Sequence, residues 1–113
     1  MLYCMTTEKL KQIENEILKI KNELSELSSM RPGTLSLQYK VPTEKKGPYY
    51  QLSYTHKMKS RTQYVRPEWV DEIRSQIEVY KRFKKLIEEW IALSIDHSQA
   101  RMKQGKDMEI GNK

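Results

Sequence analysis

The apolar residues of this chain change their spacing twice, and both changes fall at a proline. From Leu10 they recur at Ile13, Ile17, Ile20, Leu24 and Leu27, in steps of three and four that lay one stripe along a helix. Met30-Arg31-Pro32-Gly33 breaks that helix, because proline has no N–H to donate and glycine frees the turn. The step then becomes two. Leu35, Leu37, Tyr39 and Val41 alternate with Thr34, Ser36, Gln38 and Lys40, as in a strand with one buried face. After a polar connector from Pro42 to Pro48, Tyr50, Leu52 and Tyr54 repeat the alternation. Beyond Pro67 helical spacing returns, from Trp69, Val70, Ile73 and Ile77 to Leu86, Trp90 and Ile91. The pattern predicts one small α+β domain ordered α-β-β-β-α. A heptad helix (6–29) is followed by a three-stranded antiparallel sheet (34–66), a long helix (67–102) and a disordered tail (103–113).

Thr6 or Thr7 is the expected N-cap of the first helix, with Glu8 in its first turn. With Leu10 at heptad position a, the g positions are Lys9, Glu16 and Glu23, and the e positions are Glu14, Lys21 and Ser28. Two parallel copies would match Lys9 with Glu14 and Glu16 with Lys21, both attractive. Leu10, Ile13, Ile17, Ile20, Leu24 and Leu27 therefore suit a homodimer seam. The same stripe suits the chain's own C-terminal helix equally well, and the spacing leaves both open.

His56 to Lys59 reads as a four-residue hairpin tip, with Ser60 to Val65 returning as the third strand. One face of the sheet is expected to be rich in Leu and Tyr, with Tyr64 in the core pattern beside Tyr50 and Tyr54. Gln51, Ser53, Arg61 and Gln63 are expected on the other face, with Lys57 and Lys59 at its end. Tyr49, opposite in parity to Tyr50, is the tyrosine placed to stack on a partner.

Charge points to the sheet as the functional part. Residues 31–66 hold eight Lys and Arg against Glu44 alone, while the flanking segments are balanced or nearly so, and the formal net charge is +6. Such a surface attracts polyanions whatever lies beneath it. Lys57, Lys59, Arg61 and Arg66 are expected to hold a phosphate backbone, with Lys45 and Lys46 nearby and Gln63 and Tyr49 as adjacent contacts. A two-stranded ribbon is narrow enough to enter a major groove, so DNA is expected in preference to RNA. The bland alternative is a lysine-protected sheet edge. The functional alternative is an interaction module docking on an acidic protein.

Nothing in the residues points to a reaction. Cys4 is the lone cysteine, and His56 and His97 have no carboxylate at metal-ligand spacing, so neither a disulfide, a metal site nor another cofactor is expected. Asp96-His97-Ser98 holds triad residue types, but helix neighbours point apart. Lys81 to Lys85 alternates with Glu78, Glu88 and Glu89 at helical spacing and reads as a solvated face. No apolar run suits a membrane span, and Met1-Leu-Tyr-Cys-Met lacks the features of a secretory signal. A non-enzymatic cytoplasmic protein is the expectation.

Three motifs together resemble an uncharacterised family of small prokaryotic proteins. They are Arg31-Pro-Gly-Thr-Leu-Ser-Leu-Gln-Tyr39, Lys46-Gly-Pro-Tyr-Tyr-Gln-Leu-Ser-Tyr54 and Tyr64-Val-Arg-Pro-Glu68, and the resemblance runs on through Phe83 and Trp90. Members often stand beside transposases or other mobile elements, which implies a link to DNA. The family carries a cysteine-rich insert between the Gln-Tyr and Gly-Pro-Tyr-Tyr segments. Here Val41-Pro-Thr-Glu-Lys45 fills that gap without a cysteine, so the resemblance implies no metal site in this chain.

Overall fold

The computed structural model describes residues 2–111, with side chains for 7–105. The Cys4 side chain and the last residues of the expected tail, 112 and 113, lie outside that range. The elements are α1 (Leu2–Ser25), β1 (Thr34–Val41), β2 (Lys46–His56), β3 (Lys59–Val65) and α2 (Val70–Gly111). Short 3-10 turns at Pro42–Glu44 and Pro67–Trp69 precede β2 and α2. The α+β order α-β-β-β-α is that read from the sequence. The chain forms two compact units: a helical unit of Met1–Glu26 with Lys84–Lys113, and a sheet unit of Leu27–Phe83.

Element ends differ from the sequence reading for local reasons. The helix α1 runs through Thr6 and Thr7, so neither caps it, and it closes at Ser25, four residues short of the expected end. There the Ser25 hydroxyl donates to the Asn22 carbonyl (2.7 Å), and the Glu26 N–H donates to Glu23 O (3.1 Å). These tightened bonds satisfy the last carbonyls and end the helix before Leu27. At the other end of the chain, α2 continues to Gly111, through most of the segment expected to be disordered.

In the helical unit the heptad stripe turns inward on the chain itself. Ile13 and Ile20 are buried with Leu86, and Leu10, Ile17 and Leu24 are half-buried. Three contacts fix an antiparallel pairing of α1 with the distal part of α2. Gln104 Nε2 donates to Thr7 Oγ1 (3.4 Å), His97 Nε2 lies 3.0 Å from Glu14 Oε1, and Lys21 Nζ sits 5.3 Å from the Trp90 ring centroid. Each contact is one heptad from the next on both helices, the repeat of a coiled-coil seam. Of the two readings left open by the spacing, this is packing on the chain's own C-terminal helix. The e positions Glu14 and Lys21 thus meet His97 and Trp90, in place of the parallel g–e pairs with Lys9 and Glu16. Leu27 drops out of the stripe because it lies beyond the helix end.

The sheet has the order β1-β2-β3, antiparallel throughout. Its core is Leu52, Val65, Val70 and Ile77, with Leu35, Tyr50, Tyr54 and Ile73 packed against it, so the first turns of α2 cover one sheet face. Pro48 lies inside β2, which begins at Lys46 and absorbs the end of the expected connector. The sheet tolerates it because β3 pairs with β2 only from Tyr50 onward, leaving Pro48 with β1 alone as neighbour. Gly33 enters β1 at φ 140°, and a Cβ there would lie 2.7 Å from Leu52 Cδ1. Only glycine lets the backbone pass that close to the buried leucine.

Candidate nucleic-acid interface

The hairpin of β2 and β3 closes on two residues, Lys57 and Met58, instead of the expected four. Both have positive φ (51° and 66°), the signature of a type I′ turn, although neither is glycine or asparagine. Met58 is 99% exposed at its apex. The pairs flanking the turn are His56 with Lys59 and Tyr54 with Arg61. Lys57, Lys59 and Arg61 are all exposed, and among the described residues no carboxylate pairs with them. This end of the sheet is a narrow finger carrying three cations.

The other candidate residues are dispersed by the geometry of β2. Lys45 and Lys46 stand at the opposite end of that strand, ten residues from His56 and about 30 Å away at strand rise. Lys46 Nζ is also 3.4 Å from Glu44 Oε2, so its charge is partly answered. Arg66 is exposed just past β3, in a concavity shared with Arg31, Gln63 and Trp69. Gln63 accepts a hydrogen bond from Arg31 Nη2 at 2.8 Å. The Arg31 guanidinium also lies 4.9 Å from the Tyr54 ring centroid, a cation–π distance. A single continuous basic patch from residue 45 to residue 66 therefore does not form.

Two face assignments also change. Directly opposed residues in an antiparallel pair share a face, so Arg61 lies with Tyr54 and Gln63 with Leu52. Both belong to the face that α2 covers in part, and not to the face of Gln51 and Ser53. Conversely, Tyr64 opposes Gln51 and sits on the uncovered face, 58% exposed, leaving the core pattern expected for it. Tyr49 is on the same face, with its ring centroid 6.3 Å from that of Tyr64. Tyr64, Arg31 and the half-exposed Trp69 are the residues that sequence reasoning missed. Register parity was the available signal for Tyr64. Arg31 opens one of the quoted motifs and Trp69 directly follows another, but neither motif assigns them a role.

Among the described residues no group of three or more His, Cys, Asp or Glu side chains could hold a metal ion. No helix in that range is long and apolar enough to cross a membrane.

Residues 10–75, more than half of the chain, match the family described as Domain of unknown function (DUF6788). The chain belongs to that family. The DUF6788 match takes in α1 from Leu10, the whole sheet and the first turns of α2, and it stops before the distal part of α2 that packs on α1. No curated protein and no solved structure matches the chain.

Proposed function

We propose that this chain is a non-enzymatic, nucleic-acid-binding accessory protein of a mobile element or phage, and that its β2–β3 hairpin is the part that meets the polyanion. The observation that carries the reading is the hairpin end. Lys57 in the turn and Lys59 and Arg61 on β3 are exposed there with no carboxylate partner among the described residues. Holding cations in that state costs self-repulsion unless an external anion offsets it. A ribbon of two strands is also narrow enough to follow a groove or a single backbone. DNA is the preferred partner on the resemblance to proteins found beside transposases. Lys45, Lys46 and Arg66 become peripheral contacts, and Gln63 is left to Arg31.

The test is a salt titration of binding to duplex DNA, single-stranded DNA and RNA. Lys59→Ala with Arg61→Ala should weaken binding to all ligands and reduce the slope of log affinity against log salt by about two. An unchanged slope in the double variant removes the hairpin from the interface.

A second reading, a protein-interaction or oligomerisation module, draws on the helical unit. There Ile91 (54%), Ile95 (53%) and Met102 (65%) are exposed along one side of α2. The heptad seam of α1 is occupied by the chain's own helix, so self-association would use this side of α2. Light scattering on wild type and Ile95→Lys separates the readings: a mass that falls in the variant while DNA binding stays intact supports assembly as a separate property.

A further inference from the structure

At the end of the sheet away from the hairpin turn, a cleft of about 580 Å³ is lined by Tyr39, Lys40, Pro48, Tyr49 and Tyr64. Tyr49, Tyr64 and the exposed Lys40 share the uncovered face there, and Tyr39 and Pro48, an opposed pair of the other parity, complete the lining. The volume is in the range of small-molecule sites. The Tyr49 and Tyr64 rings are tilted at 45° with centroids 6.3 Å apart, so they do not stack flat on each other. Tyr64 stays 58% exposed, with ring surface left for a third planar group. The cleft has no carboxylate in its lining.

We propose that this cleft takes one unstacked base of a single-stranded nucleic acid, stacked on Tyr64 and braced by Tyr49, with Lys40 against the adjoining phosphate. The proposal rests on the nucleic-acid reading above and adds the class of ligand. An aromatic face serves any base, because every base presents a π surface, so the cleft binds without sequence preference. A duplex cannot use it, since its bases are already stacked on each other. From Tyr49 to His56 is seven residues of β2, about 23 Å at strand rise, so a strand of ten nucleotides reaches from the cleft to the cations of the hairpin.

The experiment compares a ten-nucleotide oligothymidylate with an abasic strand of the same length and charge, by fluorescence anisotropy at low salt. Wild type should bind the oligothymidylate about tenfold or more tighter than the abasic strand. Tyr64→Ala should lose that margin while holding the abasic strand as wild type does, and Tyr64→Phe should keep it. Equal wild-type affinity for both strands overturns the cleft as a base site and leaves the charge-based reading standing. So does retention of the full margin by Tyr64→Ala. If neither strand nor a duplex binds at low salt, the nucleic-acid reading falls and takes this proposal with it.

Discussion

Met58→Gly should stabilise the protein although it removes a whole side chain. The hairpin turn places Lys57 at φ 51° and Met58 at φ 66°. A side chain in the left-handed region crowds its own carbonyl and costs about 1–2 kcal/mol per residue. Glycine at 58 relieves one such cost. Nothing is lost in packing, because Met58 is 99% exposed. Against this, glycine adds freedom to the unfolded chain, which costs about 0.5–1 kcal/mol. The balance is a gain of about 0.5–1 kcal/mol. In urea denaturation followed by circular dichroism, this raises the midpoint by about 0.4 M with an unchanged slope. Amide exchange at His56 and Lys59, the hydrogen-bonded pair that closes the turn, should slow in step. Met58→Ala keeps the positive φ and should match wild type within about 0.5 kcal/mol. A midpoint for Met58→Gly at or below that of Met58→Ala would falsify the claim that the turn stores backbone strain. The cations are untouched, so the salt slope of nucleic-acid binding should not move.

Gly33→Ala should cost about 2–4 kcal/mol, read as a lowered denaturation midpoint. The new Cβ would combine a positive φ with approaches of 2.7 Å to Leu52 Cδ1 and 3.0 Å to the Ser53 carbonyl. Ile20→Ala, at a buried position of the α1 seam, should cost about 2–5 kcal/mol, whereas Leu18→Ala, 55% exposed on the same helix, should stay within about 0.5 kcal/mol. Equal costs for the two would mean that the inward stripe does not hold the helical unit together.

Much of the fold was legible because period is a local property that tertiary packing seldom reverses. Steps of three and four around Ile13 and Ile20 mark a buried helical stripe, and steps of two around Leu52 mark a strand. What covers a stripe is a different matter. The same a/d spacing serves a partner copy or the chain's own return helix, and the decision came from residues 69 and 83 positions away, Trp90 against Lys21 and His97 against Glu14. Helix ends were read poorly for a related reason. Thr6 and Thr7 have capping side chains, yet α1 starts before them, and Gly105 has the residue type of a helix stop, yet α2 passes through it. A cap preference of about 1 kcal/mol yields readily to the longer ladder of helical bonds.

The candidate site was harder, because charge counted along the sequence carries no information about direction. Lys46 and Lys57 are eleven positions apart. In a helix that separation is about 16 Å, but β2 is a strand and carries them to opposite ends of the sheet. Cations counted together along residues 31–66 therefore divide between a finger at one end of the sheet and the tyrosine cleft with Lys40 at the other. Parity did the rest. A hairpin loop of two or four residues centred on Lys57 and Met58 opposes Tyr54 to Arg61 and Gln51 to Tyr64. Arg61 must then share a face with the core and Tyr64 must leave it. That constraint was present in the sequence once the turn was recognised. It moves the aromatic surface available to a ligand from Tyr49 alone to Tyr49 with Tyr64. A lone half-buried tyrosine offers little to a base, whereas two tilted rings beside a lysine have the components of a stacking site.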